Sequence, residues 1–342
     1  MSSQLEAAYA HGPGKHIEPG PTPRTPPAPG PRIPLQTLQG EFPAAVAQLL
    51  IDVMTPQRWE PWNQYNDHRA YPSPRAAYLV DVTLNNTLLD PARRALIGTA
   101  PKHLTRARLE ITTHPERLSE GYGDFRDALA ELEAGHVLAA LTNHANRMGL
   151  NTKTDPEGIT LQPGETTRIK TPPRTSGIGP RGLSADPRPL PNKAFHKFIA
   201  AIDHHLTHNL AVRNVEGVED GWYRLNPLEH TLKDAMSEVQ STYGHPRTNT
   251  DVAGMNLALV MTADVRKGNY RNLLRQAGST AQNVCEAAAE AGMFCRPVRS
   301  VEDQSLEAKA GAPASHSLLY VLLAGRQRTR CFPYDLTPLE QL

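Results

Sequence analysis

Cysteine is scarce in this chain of 342 residues: Cys285, Cys295 and Cys331 are too few and too unevenly placed for a disulfide framework or a zinc pattern. That scarcity suits a reducing, cytoplasmic setting. No run of about 18 apolar residues occurs, so nothing reads as a membrane span. The opening residues, MSSQLEAAYAHGPGKH, lack a basic start followed by an apolar run and do not read as a secretory signal. An excess of charge is missing too. The 36 basic and 35 acidic residues nearly cancel, which leaves no basic face of the kind nucleic acid or an anionic membrane demands.

What the chain has is punctuation and repetition. Residues 12–34 are dominated by Pro and Gly and bury too little apolar surface to offset the entropy of ordering, so residues 1–40 are expected to form a disordered tail. A second Pro/Gly-rich stretch, near 152–192, divides two better-patterned regions, taken as 41–160 and 161–342. Across that divide, AGHVLAALTNHANRMGL (134–150) aligns without a gap with AGSTAQNVCEAAAEAGM (277–293), 143 residues later. Both open on Ala-Gly, carry a central Asn (Asn143 and Asn283, read as equivalent) and close on Gly, as helices that end at a C-terminal glycine do. LLDPARRAL (88–96) parallels RLNPLEHTL (224–232) as strand and turn, and LEITTHPERL (109–118) parallels LALVMTADVR (257–266) as a β-prone run before the helix. Three blocks in one order point to duplication. The copies are unequal: the first holds YPSPRAAYLVDV (71–82), whereas the second is followed by SLLYVLLAGRQRTR (317–330), with no clear counterpart in the first.

These blocks resemble the FMN-dependent nitroreductase superfamily and, within it, the SagB/McbC-type azoline dehydrogenases. The similarity covers roughly residues 68–150 and 172–330 and rests on the order and number of segments rather than on one motif. It implies an α+β, nitroreductase-like fold of two halves, with the central helices paired across an internal seam. Members are usually homodimers with flavin at the dimer interface, so the duplicated chain is expected to be an internal pseudo-dimer with one complete FMN site. The C-terminal half would carry the phosphate side, and 41–160 would be the degenerate half.

On that resemblance, the phosphate falls to Arg174 of the Arg174-Thr175-Ser176 motif and to Arg326 and Arg328 of the basic tail, which continues to Arg330. Arginine supplies fixed charge and bidentate donors there. Ser176 would bond the flavin's polar edge. Pro72 and Ser73 would set rigid backbone against the ring, although the family's next two positions, glycines, are Pro74 and Arg75 here. The family's Lys-Tyr pair before the central helix matches Gly121-Tyr122, so Tyr122 is the candidate proton acceptor and lacks its lysine. An unperturbed phenol has a pKa near 10 and needs help to act as a base. Lys267 precedes the second helix, in the other copy.

The implied activity is FMN-dependent oxidation of azoline rings to azoles on a ribosomal peptide, with the modified peptide and cyclodehydratase-type enzymes as partners. One alternative is a nitroreductase-like oxidoreductase on a small molecule. It would use NAD(P)H without a Gly-rich fingerprint, which this chain lacks. Another is a flavin-free, peptide-binding scaffold. Of the remaining features, His204 and His208 would share a helix face four residues apart, but no HExxH-like carboxylate accompanies them and no metal is expected. His136 is placed at the start of the first central helix, near the flavin, either contacting ring or substrate or as a buried, hydrogen-bonded histidine. Cys285 and Cys295 read as small buried residues. Trp59 and Trp62 would line a peptide groove or pack the first copy.

Overall fold

The computed structural model describes residues 28–60, 68–99, 101, 104–165, 172–179, 182–225, 228–231, 233–328 and 334–336. Two antiparallel sheets dominate. The first contains β1 (Arg32–Pro34), β2 (Val80–Leu84), β3 (Thr87–Asp90), β4 (Ala95–Ile97), β5 (Ala107–Thr113), β6 (Asn151–Asp155) and β7 (Gly158–Gln162), in the order β1-β4-β3-β2-β5-β7-β6. The second contains β8 (Thr207–Val212), β9 (Gly221–Leu225), β10 (Leu228–Thr231), β11 (Leu257–Ala263), β12 (Met293–Val298) and β13 (Ser317–Arg326), in the order β10-β9-β8-β11-β13-β12. Removing β1 leaves the same strand order in both, and this shared topology is what the repeated segments encode. The last strand, β13, does have a counterpart in the first copy: β7 occupies the same place in its sheet. Its five residues, GITLQ, are too short and mixed to announce it.

The helices are α1 (Glu41–Met54), α2 (Phe125–Arg147), α3 (Asn192–Ala200), α4 (Ala235–Thr242), α5 (Tyr270–Glu290) and α6 (Asp303–Lys309). The sheets are covered differently, and their sequences say so. In β2 and β5 the residues alternate between buried and partly exposed, as in a sheet with one covered face. In β11 every residue is buried, and in β13 all but the last. One face of that sheet packs on α3 and α5, with Phe198, Leu274 and Val284 in the core. The other packs on α4 and α6, with Met236, Val239 and Leu306. A continuous apolar run such as SLLYVLLAG is the mark of a strand buried on both sides.

The two halves meet along α2 and α5, which run parallel and side by side. Gly135 and Gly278, matched by the repeat, face each other. A β-carbon on Gly135 would run into the Arg275 carbonyl, and one on Gly278 into that of Leu132. Such backbone contact is why both copies keep Ala-Gly there. Further along, Asn143 Nδ2 donates to Asn283 Oδ1 at 2.9 Å and to Glu286 Oε2 at 3.1 Å, and Arg147 Nη2 reaches Glu286 Oε2 at 2.6 Å. The two asparagines are therefore bonded partners rather than equivalents, since the gapless alignment sets Asn143 against Glu286. Gly149 and Gly292 close the two helices at φ +74° and +72°, the left-handed conformation of a helix-terminating glycine.

Three expectations about organisation change. The tail expected to be disordered through residue 40 forms β1 at a sheet edge, where Pro34 withholds no ladder donor the sheet needs, and Leu35 is fully buried. Residues 1–27 lie outside the described residues. The Pro/Gly-rich divide begins with the β6–β7 hairpin of the first sheet, so a boundary at 160 falls inside β7. His204 and His208 share no helix: α3 ends at Ala200 and His208 lies in β8. Among the described residues no His, Cys, Asp or Glu grouping could hold a metal ion, and no helix is long and apolar enough to cross a membrane.

Candidate functional site at the seam

The segment Arg69–Tyr78 passes from an extended stretch into a tight turn before β2. Its backbone is unusual. Arg75, Ala76 and Tyr78 all have positive φ, at 53°, 51° and 51°. Left-handed backbone costs an L-residue about 1–2 kcal/mol, so the family's glycine position now held by Arg75 keeps a glycine-like conformation without a glycine. Ser73 anchors the turn. Its Oγ donates to Glu133 Oε2 of α2 at 2.6 Å and accepts from the Tyr78 amide at 2.8 Å. Both hydrogen-bonding roles of that hydroxyl are thus taken inside the protein, while Pro72 beside it is half-buried.

Glu133 is buried, and burial pushes its carboxyl up to about 7, against the stabilising Ser73 bond and the Arg69 charge. Its Oε1 has no hydrogen-bond partner. Arg69 lies over the Tyr78 ring, 3.7 Å from guanidinium carbon to centroid, and donates to the Tyr71 hydroxyl at 3.0 Å. Tyr71 meets Tyr78 edge-on at 5.8 Å.

From the other half comes Arg174. The Cys295 amide donates to the Thr175 carbonyl at 2.9 Å, which fastens this segment alongside β12. Arg174 is only 7% exposed, and its Nη1 donates to Ser176 Oγ at 3.3 Å. Its buried Nε has no partner, and among the described residues no carboxylate neutralises it. Its charge reaches Tyr78, His136, Tyr320 and Cys295. Arg174 with Ser176 is thus brought towards the turn that holds Ser73, from the opposite half.

His136 lies in the middle of α2, not at its start, and is buried there. Gln282 Nε2 donates to the Ala70 carbonyl at 3.1 Å and to Glu286 Oε1 at 2.9 Å, which leaves its Oε1 to accept from His136 Nδ1 at 3.1 Å. His136 Nε2 then carries a lone pair and accepts from the Tyr320 hydroxyl at 3.3 Å. Burial lowers the His136 pKa to about 3 and raises that of the Tyr320 phenol.

Arg326 Nη1 donates to the Pro189 carbonyl at 3.2 Å and exposed Arg328 to Ser184 Oγ at 3.1 Å, so both engage the 184–189 segment. Arg330 lies outside the described residues. Tyr122, in a 3₁₀ turn before α2, accepts from Arg75 Nε at 2.7 Å. Exposed Lys267 pairs with Asp264 at 3.5 Å. Trp59, 39% exposed, pairs with Tyr334 in a two-residue ladder, while Trp62 and Cys331 lie outside the described residues. Cys285 and Cys295 are buried. Sequence reasoning missed Arg69, Tyr71, Tyr78, Glu133, Gln282 and Tyr320 as site components. The signal for Glu133 was present, an acid two residues before the close-contact Gly135 on a helix otherwise rich in Ala and Leu.

The fold is nitroreductase-like. A solved chain from Anabaena variabilis, assigned as a nitroreductase, superposes on 90% of this chain and 94% of its own with a TM-score of 0.68 at 16% identity. A nitroreductase structure from Ralstonia eutropha matches 48% of this chain and 88% of its own (19% identity, TM-score 0.35). A chain of the E. coli microcin synthetase McbBCD complex with truncated pro-MccB17 bound matches 48% and 76% (17% identity, TM-score 0.35). No protein-family profile and no curated protein sequence matches the chain.

Proposed function

We propose that this chain is an FMN-dependent oxidoreductase with one flavin at the seam between its halves. Arg174 and Ser176 would hold the phosphate and polar edge, with Arg326 and Arg328 as outer cations, and the Pro72–Ser73 turn would back the ring. The observation that carries the reading is Arg174: a buried guanidinium with an unpartnered Nε and, among the described residues, no carboxylate, beside a turn from the opposite half. A buried cation is costly unless paired, and a phosphate monoester is a partner that matches its fork. When bound, the flavin accepts a hydride, and the chain's residues position the substrate and take its proton. For the substrate we propose an azoline ring on a modified ribosomal peptide. It would lose one hydrogen as hydride and one as a proton to give an azole, with oxygen reoxidising the flavin. This choice rests on the resemblance of YPSPRAAY and Tyr122 to azoline dehydrogenases.

Purified protein should be yellow or become so with FMN. Arg174→Ala, which removes a charge-assisted bond of about 1.5–3 kcal/mol, should weaken FMN binding by about 10- to 100-fold, read by flavin absorbance and fluorescence. A wild-type chain that stays colourless with excess FMN overturns the reading. An azoline peptide should lose about two mass units per ring on conversion, whereas NAD(P)H-driven reduction of nitroaromatics without peptide oxidation would replace the substrate assignment. One observation favours the flavin-free scaffold instead: the Tyr78 face is already covered by Arg69, and the Ser73 hydroxyl already donates to Glu133 and accepts from the Tyr78 amide.

A further inference from the structure

Arg75 and Tyr122 come from two irregular segments that flank the β2–β5 ladder, tied together just beyond it by the His114 amide bonded to the Leu79 carbonyl and by Arg117 Nη1 bonded to the Tyr78 carbonyl. Arg75 sits at φ 53°, ψ 24° inside the 74–76 turn. Tyr122 ends a 3₁₀ turn whose next residue, Gly123, has φ 49° and ψ −143°, a conformation open essentially to glycine alone. These two costly backbone arrangements converge on one hydrogen bond, Arg75 Nε to Tyr122 Oη at 2.7 Å, with the guanidinium carbon 6.0 Å from the ring centroid. Strain that persists at a non-glycine residue points to a use for its side chain. The turn is also held from its other end, because Ser73 is fixed to Glu133. Tyr122 itself is half-buried.

We propose that Arg75 is the positioning residue of Tyr122, holding the phenol oxygen as the proton-accepting atom of the seam site. This rests on the oxidoreductase reading above. An opposite charge within about 4–6 Å favours the ionised form of an acid, and the Arg75 guanidinium lies in direct bond contact. The Tyr122 phenolate would take the proton from one substrate carbon and become a phenol; the electron pair of that C–H bond forms the new double bond, and the hydrogen on the neighbouring carbon would leave with its own bonding pair as hydride to the flavin. The phenol then returns its proton to solvent. The cation that the sequence lacks at Gly121 is thus supplied from a turn 46 residues earlier in the chain. Glu120 and Asp124 flank Tyr122 with the opposite sign, and Arg299, 5.5 Å over the Phe125 ring, is bonded twice to Asp303.

The test is ultraviolet titration of the full chain without flavin, isolating Tyr122 among ten tyrosines by difference from Tyr122→Phe. Tyr122 should titrate below the ordinary phenol value near 10, and Arg75→Gln should raise its proton affinity at least tenfold. Arg75→Lys, which keeps a charge, should raise it less, and it serves if the Gln variant fails to fold. Equal Tyr122 titration in wild type and both Arg75 variants overturns the proposal, since a latch that merely packs would alter stability and leave the phenol unchanged. FMN binding is measured separately on the same proteins. A chain that binds no FMN yet shows Arg75-dependent titration loses the oxidoreductase reading but keeps the pairing.

Discussion

At the scale of single residues, two buried groups with opposite demands on protons share one helix. Glu133 has its carboxyl pushed up to about 7 by burial, and His136 its imidazole pushed down to about 3 by the same cause. For Glu133 the folded state keeps a proton that the unfolded chain releases from its model value of 4.5 upward. Its contribution is therefore present at low pH and is lost as pH rises from 4.5 to about 7. For His136 the folded state refuses a proton that the unfolded chain binds below 6.5, so its contribution is lost as pH falls from 6.5 towards 3. Each slope has a ceiling of about 1.4 kcal/mol per pH unit, and between 4.5 and 6.5 they oppose each other. Glu133→Gln keeps an acceptor for Ser73 and removes the titration. Its stability relative to wild type should therefore climb between pH 4.5 and 7, by an amount of order 1 kcal/mol or more, in urea denaturation at a series of pH values. A flat difference would mean that Glu133 is ionised throughout. His136 was picked out in the sequence but the burial of neither group was legible, because composition does not distinguish a glutamate buried against a serine from one on a solvated helix face.

At the scale of elements, what was legible is what geometry forces into both copies. The Ala-Gly pairs at 134–135 and 277–278 recur because α2 and α5 touch backbone to backbone there, and no side chain survives that contact. Gly135→Ala or Gly278→Ala should therefore cost about 3 kcal/mol or more, since the obstructing atoms are main-chain carbonyls and cannot rotate away. The check is the denaturation midpoint, and a loss below about 0.5 kcal/mol would mean that the helices are not held this closely. The run SLLYVLLAG was legible because a strand covered on both faces has no polar side to interrupt it. β1 was hidden for the converse reason. Its three residues sit in Pro/Gly-rich sequence, and their partner is Ala95–Ile97, some sixty residues on. The Arg75–Tyr122 bond was equally hidden, because a left-handed arginine has no compositional mark and its partner lies 47 positions away.

At the scale of the molecule, duplication predicts two equivalent arrangements across the seam, and the two have diverged. The gapless helix alignment pairs His136 with Ser279, Glu133 with Gln276 and Gln282 with Ala139. Glu133 is buried where Gln276 is exposed. The mates of His136 and Gln282, a serine and an alanine, cannot rebuild the bond that joins the halves through Tyr320. The turn that bonds Ser73 to Glu133 belongs to the first copy, and the buried Arg174 approaches it from the second, so the two contributions combine on one side of the seam only. Under the proposed function the chain should bind one FMN, not two. Absorbance titration against protein concentration, with Arg174→Ala as the depleted control, measures the ratio. A ratio of two would mean that the second seam site is intact despite Gln276 and Ser279, and would remove the asymmetry on which the placement of the flavin depends.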